Sequence, residues 1–155
     1  MPWDYTGSAE GITPSTSDDN WTLDAVSAGV GEVTEVYWGG ETTTSTAMRT
    51  RVARSSGEGT SPTALNVAKL AGTDTPTNQI DLVATYAAGN QPTLASGSLL
   101  AMGWNAHGGM FRWVAGPREG FFLISGITAE DLISCRNAAG VGQSTYGVHW
   151  KEWSQ

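Results

Sequence analysis

Few side chains in this sequence are of the types that catalyse reactions or hold metal ions. The 155-residue chain has two histidines, His107 and His149, and a single cysteine, Cys135. A zinc site needs three or four convergent ligands, and a reactive thiol needs nearby positive charge to lower its pKa. His107 and His149 have no evident third ligand, and Cys135 has no neighbouring Lys or His. We therefore interpret all three as structural residues, with metal ligation and a reactive thiol as the alternatives.

Two groups of acidic residues are candidates for chemistry. Glu130 and Asp131 are the closest pair of acids to an apolar segment, but a glycosidase needs two carboxyls that face each other across a site. Adjacent residues on a turn point apart, so this pair is better explained as the charged start of a helical turn at residues 129–132. Residues Asp18–Asn20 lack the ligand spacing and the closing glutamate of a calcium loop, which favours a solvated turn.

The motifs of common enzyme classes are missing from the sequence. There is no nucleophile elbow, phosphate-binding loop or zinc-protease motif. Residues Gly140–Gln143 begin like a dinucleotide-binding loop but lack its third glycine and its helix. The sequence therefore predicts a protein that is not an enzyme and has no cofactor.

The densest apolar stretch, Gly97 to Gly126, is expected to be the centre of the fold. Residues 100–104 and 110–115 alternate apolar and other side chains, which predicts two strands. Residues 105–109 contain paired glycines and favour a hairpin turn between these strands. Residues 121–125 are apolar on both faces, as in a strand in the middle of a packed sheet. These three strands are predicted to build the core.

Short strands separated by Gly, Pro and polar turns follow one another along the chain. We count about nine or ten of them, with no long helix and no internal repeat. This pattern predicts an all-β, antiparallel two-sheet sandwich, most consistent with a jelly-roll type, and a barrel is the alternative. Residues 1–20 show no sustained periodicity and are predicted to form an extended N-terminal arm, and residues 21–155 the β-sandwich domain.

The charge balance argues against two classes of partner. The chain has 8 Lys and Arg against 15 Asp and Glu, a net charge of −7. Nucleic acids and anionic membranes attract positive charge, so neither is expected as a partner. No apolar run approaches the roughly 20 residues of a membrane span, and the first residues lack the features of a secretory signal. We therefore expect a soluble protein without a cleaved export signal.

Aromatic and basic side chains are the candidates for contacts with a partner protein. Aromatic rings near the chain ends need to be covered by this domain or by a partner. A stripe of arginines on one strand is unusual in so acidic a chain, and it indicates either an acidic partner surface or a solvated face with internal ion pairs. The predicted partner-binding residues are Trp3, Tyr5, Arg49, Arg51, Trp150 and Trp153.

The seven tryptophans leave a second function open. Exposed aromatic rings on a sandwich face can stack on sugars, so a carbohydrate-binding or host-surface adhesion module is the alternative. It would require two or three coplanar, exposed aromatic rings. Trp38, Trp104 and Trp113 are in phase with apolar neighbours, which favours the core for these three.

Three parts of the sequence resemble a known group of proteins. They are Tyr37–Glu41 with Ser45–Arg51, then Gly109–Ala115, and finally Leu132–Gly140 with Val148–Glu152. Together these stretches resemble the small β-rich virion structural proteins of tailed bacteriophages, in particular the capsid decoration (cement) proteins.

The resemblance covers most of the chain after the predicted arm and implies a structural function. Decoration proteins typically form homotrimers on the outside of the head, at threefold and quasi-threefold positions, where they clamp neighbouring capsomers. The resemblance thus implies the major capsid protein and sister copies as partners. It also implies a location on the exterior of a virion capsid after synthesis in the host cytoplasm. No catalytic residue is implied.

Overall fold

A computed structural model of the chain shows two packed β-sheets. It describes residues 3–26, 28–57, 59–71, 79–84, 90–127 and 130–153. Among these residues no helix has the length and apolar character needed to cross a bilayer. The thirteen strands are β1 (Trp3–Ile12), β2 (Asp19–Ala25), β3 (Val30–Gly40), β4 (Ala47–Ser56), β5 (Thr63–Ala64), β6 (Val67–Ala71), β7 (Ile80–Ala84), β8 (Thr93–Leu94), β9 (Leu100–Asn105), β10 (Met110–Val114), β11 (Phe121–Ile124), β12 (Leu132–Ala139) and β13 (Ser144–Trp153).

The strands form two antiparallel sheets. In the six-stranded sheet A, β10 and β11 both pair with β3, which is followed by β13, β1 and β6. In the seven-stranded sheet B the order is β5, β7, β2, β12 and β4, and both β8 and β9 pair with β4. The predicted all-β, antiparallel two-sheet sandwich is confirmed in preference to a barrel. The jelly-roll subtype stays a prediction.

The core lies between the two sheets because alternate residues of the long strands are apolar. In β13, for example, Tyr146, Val148 and Trp150 are buried, while His149 and Lys151 face outward. Sheet B contributes alternating apolar residues of its own to the same core. Among the fully buried side chains that it contributes are Trp21, Leu23, Val52, Ile133 and Cys135.

A β-bulge in β3 positions residues on the outer face of sheet A. The register against β13 shifts between His149 and Trp150, so that Thr34 has no residue opposite it. Val33 and Val36 can then both face the core although they are three residues apart. Glu35 consequently lies on the outer face, opposite His149.

The prediction for the apolar stretch Gly97 to Gly126 is wrong in its strand pairing. β9 and β10 form no hairpin, since β9 pairs with β4 in sheet B and β10 pairs with β3 in sheet A. The segment between them crosses from one sheet to the other, where Ala106 is buried and its carbonyl oxygen accepts a hydrogen bond from the amide of Thr42 at 3.1 Å. Since β11 also pairs with β3, this stretch borders the sandwich and does not form its centre.

The segment predicted as an N-terminal arm is part of the sandwich over its described residues. β1 lies inside sheet A, with β13 on one side and β6 on the other. Glycine at position 7 lets β1 lie close to sheet B, because a Cβ there would overlap the side chain of Leu82 from that sheet. The chain then turns at residues 13–18 and enters β2, so the boundary predicted between residues 20 and 21 falls within a strand.

Candidate interaction surface

The histidines lie in separate surroundings. His107 is exposed in the segment between β9 and β10, with its Nδ1 3.0 Å from the carbonyl oxygen of Thr42. His149 lies on the outer face of sheet A, with its Nδ1 3.6 Å from Oε2 of Glu35. In the part of the chain that the structure describes, no group of three His, Cys, Asp or Glu side chains is arranged to hold a metal ion.

Cys135 is a core residue. It is fully buried in β12, between Trp21 of β2 and Val52 of β4 in the register of sheet B. Burial raises the pKa of the thiol far above its usual value, and the negative charge of Asp19 adds to this effect. The thiol is therefore held in its unreactive, protonated form.

The backbone of Glu130 connects two neighbouring parts of the fold. The Glu130 carbonyl oxygen accepts hydrogen bonds from the amide of Ile124 at 3.0 Å and from Nη1 of Arg54 at 3.2 Å. The predicted helical turn at residues 129–132 cannot be compared in full, because Thr128 and Ala129 lie outside the described residues.

The predicted solvated turn at Asp18–Asn20 is correct only for Asp18, which is exposed. Asp19 and Asn20 begin β2 and are buried, with exposed fractions of 5% and 2%. The Asp19 carboxylate accepts a hydrogen bond from Nε of Arg136 at 2.6 Å and one from Oγ1 of Thr22 at 3.0 Å. Burial raises the pKa of Asp19, and Arg136 opposes the shift.

A chain of hydroxyl groups continues from this ion pair along sheet B. Oγ1 of Thr22 lies 2.8 Å from Oγ of Ser134, which lies 2.9 Å from Oγ of Ser55. All three side chains are buried. This row of hydroxyls ends on one carboxylate and includes no imidazole or amine. It therefore satisfies buried polar groups and offers no activated nucleophile.

Two of the predicted partner-binding residues lie in the core. Tyr5 and Trp150 are neighbours in the register of β1 and β13, and their rings stack with centroids 5.6 Å apart. Their exposed fractions are 2% and 1%, so neither can contact a partner while the fold is intact. The sequence could not distinguish covering by the domain from covering by a partner.

The other four predicted residues are accessible to different degrees. Arg49 is exposed, and Arg51 is half-buried with its Nη2 3.3 Å from the carbonyl oxygen of Ala95. Trp3 and Trp153 are half-buried at the same end of sheet A, where Trp3 packs against the core. The structure does not bring these four together as one surface with Tyr5 and Trp150, and their role in partner binding stays a prediction.

No tryptophan provides the exposed platform that the carbohydrate-binding alternative requires. All seven lie in described parts of the chain and are buried or half-buried. Trp38 stacks on Phe111 and Trp113 on Phe121, each pair with centroids 4.4 Å apart. Nε1 of Trp104 donates a hydrogen bond to Oγ1 of Thr50 at 3.0 Å. Trp38, Trp104 and Trp113 therefore make contacts within the domain, and the carbohydrate-binding alternative stays a prediction.

Four of the seven large apolar side chains that are exposed in the described residues lie at one side of the sandwich, which we call the open edge. It consists of β9, at the border of sheet B, with β10 and β11, at the border of sheet A. Within the described residues, β9 pairs with β4 alone, and β10 and β11 pair with β3 alone. The exposed fractions here are 79% for Met110, 55% for Val114, 43% for Phe122 and 38% for Met102. Exposed apolar residues beside unpaired strands are typical of protein interfaces.

An ion pair anchors the outer face beside the open edge. Arg112 donates from Nε and Nη2 to the two carboxylate oxygens of Glu35, at 2.7 and 2.8 Å. These hydrogen bonds from Arg112 lower the pKa of Glu35, and the charge of His149 adds to the effect. Tyr37 packs its ring edgewise against His149 on the same face. Arg112 therefore has a fixed direction, towards the Val114 end of β10.

The sequence did not reveal the open edge, although β10 has apolar residues on both faces. Phe111 and Trp113 alternate with Met110, Arg112 and Val114, and four of these five side chains are apolar or aromatic. A strand with apolar residues on both faces lies either in the centre of a sheet or at an interface, and periodicity cannot separate these cases.

Comparison of the chain with protein-family models, with curated proteins and with solved structures finds no match.

Proposed function

We propose that this protein is a non-enzymatic structural component of a tailed-phage virion that binds the outside of the capsid shell. The proposal rests on the resemblance described above and on the open edge, where exposed apolar side chains border unpaired strands. The major capsid protein is the partner that the resemblance implies. The scattered positions of the two histidines and the burial of the single cysteine are compatible with a protein whose function is binding.

The observation that carries the proposal is the exposure of apolar side chains on β9 and β11. Covering Phe122 and Met102 with a partner would stabilise the complex by about 25 cal/mol for each Å² of apolar surface removed from water. A single contact of this size is weak. In the trimer that the resemblance implies, three copies of the contact would act together at high effective concentration.

Binding to capsid shells tests this proposal. Expanded shells assembled from the cognate major capsid protein are incubated with the purified chain, and occupancy is measured by co-sedimentation. We expect the wild-type chain to co-sediment, and the variants Phe122→Ser and Met102→Ser to occupy fewer sites at the same concentration.

The variant Val141→Ser is the matched control. Val141 is 59% exposed in the turn between β12 and β13 and belongs to none of the three strands of the open edge, so its replacement should leave occupancy unchanged. A wild-type chain that does not co-sediment would overturn the proposed function. Equal losses for Phe122→Ser and Val141→Ser would remove the open edge from the mechanism.

A further inference from the structure

The free side of β10 carries backbone groups that have no partner strand in the described structure. The amide of Gly40 donates to the carbonyl of Gly109, and the amide of Ala115 donates to the carbonyl of Thr34, both at 2.9 Å. In an antiparallel pair, alternate residues direct their N–H and C=O groups to the same neighbour. Phe111 and Trp113 share this phase and face β3. The backbone groups of Met110, Arg112 and Val114 therefore point away from the sheet.

The order of residue types in β10 is symmetric about Arg112. The order Met, Phe, Arg, Trp, Val places an apolar residue at each end, an aromatic residue next to each end, and Arg112 in the centre. An antiparallel copy of this strand centred on Arg112 would place Met110 opposite Val114 and Phe111 opposite Trp113. Aliphatic residues would thus pair with aliphatic residues, and aromatic residues with aromatic residues.

We infer that β10 pairs antiparallel with β10 of a second copy of this chain, in the register that places the two Arg112 residues opposite each other. In this register the outward-facing groups of Met110, Arg112 and Val114 meet the same groups of the second copy. Each hydrogen-bonded pair exchanges two bonds, which gives about six bonds across the interface. The contact is isologous and joins two copies of sheet A into one continuous sheet.

The side chains on the outer face fit this arrangement. Met110, which is 79% exposed, covers Val114 of the second copy, and the symmetry repeats this contact at the other end. Such cross-strand pairs are the units that stabilise a sheet. The aromatic residues Phe111 and Trp113 remain on the inner face, where they already stack on Trp38 and Phe121.

The two arginines do not oppose the contact. Glu35 lies opposite Val114, so each Arg112 leans towards the Val114 end of its own strand. In an antiparallel pair these ends lie on opposite sides of the twofold axis. The two guanidinium groups consequently diverge, and each is neutralised by the Glu35 of its own chain. The contact line carries no net charge, although the whole chain has a net charge of −7.

This inference goes beyond the proposed function. A twofold contact cannot by itself produce a trimer. It also involves β10, whereas shell binding is assigned to Phe122 of β11 and Met102 of β9. A strand of five residues gives a small interface, so we expect a reversible dimer of modest affinity. Self-association and shell binding can therefore succeed or fail independently.

Sedimentation equilibrium over a range of concentrations tests the pairing. We expect the wild-type chain to form a reversible dimer, and the single variants Met110→Glu and Val114→Lys to raise the dissociation constant roughly tenfold each. The double variant should recover much of the loss, because Glu at position 110 then faces Lys at position 114 of the second copy. Within one chain these positions are too far apart along the strand to interact. Val141→Lys, an exposed apolar position outside β10, should associate like the wild type.

Hydrogen exchange gives an independent readout. The amides of Met110, Arg112 and Val114 should become protected as the protein concentration rises. Three results would overturn the inference: a wild-type monomer at all concentrations, a double variant no better than the single variants, or a trimer in which these amides exchange freely. Protection of these amides only after shells are added would instead assign the free side of β10 to a strand of the capsid protein, and would also overturn the self-pairing.

Discussion

The buried carboxylate of Glu152 accepts a hydrogen bond from Nε1 of Trp150 at 2.8 Å, across one intervening residue of β13. Its second oxygen accepts the backbone amide of Gln79, which precedes β7 in sheet B, at 3.2 Å. Glu152 therefore ties the end of sheet A to the start of a strand in sheet B. Burial raises the pKa of this carboxyl, and the two donors oppose the shift. Burial, together with the charge of Glu152, raises the pKa of Tyr5 to about 12.

This carboxyl should make stability fall as the pH rises. Because its pKa is higher in the folded than in the unfolded chain, its favourable contribution is complete at pH values below the unfolded pKa. The contribution is lost as the pH rises through the folded pKa. The stability of the wild type relative to Glu152→Gln should thus be greatest below the ordinary pKa of a glutamate, about 4.5, and decline as the pH rises above it.

Chemical denaturation of both proteins across this pH range checks the prediction. The glutamine removes the titration but can accept only one of the two hydrogen bonds, a cost of about 1 kcal/mol relative to the charged carboxylate. Glu119→Gln, at an exposed position, controls for the loss of one negative charge. A difference between wild type and Glu152→Gln that grows with pH would contradict the assignment.

Removing the cation from the buried ion pair in sheet B should destabilise the fold strongly. In Arg136→Met, the carboxylate of Asp19 is left buried with its side chain 0% exposed and without its charge partner. We expect a loss of about 3 kcal/mol in the free energy of unfolding. The double variant Asp19→Asn with Arg136→Met should be more stable than Arg136→Met alone, because its buried group is neutral. Urea denaturation measures both, and equal stabilities would refute the explanation.

The crossing between the sheets should be intolerant of a side chain at Gly40. A Cβ at this position would overlap the backbone of Ala106, including its carbonyl group. We expect Gly40→Ala to lower the free energy of unfolding by about 2 kcal/mol or more, since the obstacle is main chain and cannot rotate away.

The neighbouring glycine provides a matched control for this substitution. A Cβ at Gly39 would lie 3.7 Å from the carbonyl oxygen of Gly109, which is an ordinary contact. Gly39→Ala should therefore be close to neutral in the same denaturation experiment. If both substitutions cost the same, the effect would belong to the loss of glycine and not to the close approach of Ala106.

The sequence predicted the sheet class because period-two alternation is a local property. Short alternating segments separated by Gly, Pro and polar turns were enough to predict the correct two-sheet class. Strand neighbours depend on contacts distant along the chain, which alternation does not encode. The glycines near His107 therefore suggest a hairpin where the chain changes sheets, and residues 121–125 are predicted in the middle of a sheet although β11 lies at a border.

The candidate surface was harder to predict than the fold, for a related reason. An aromatic residue such as Tyr5 must be covered, but the sequence does not reveal whether its own domain or another molecule covers it. Asp19 illustrates the opposite case, where an apparently solvated acid is buried because Arg136 arrives from a strand far along the chain. The exposure of Met110 and Val114 became visible only when β10 was placed at the border of sheet A.

The position of β13 determines when sheet A can assemble during synthesis. β13 lies between β1 and β3, so the first strand of the chain and the third have no common neighbour until residues 144–153 have left the ribosome. Sheets that depend on pairing between distant parts of a chain fold slowly. We therefore expect a nascent chain to keep the apolar sides of β1 and β3 uncovered until β13 has been synthesised, a period in which chaperones can bind them.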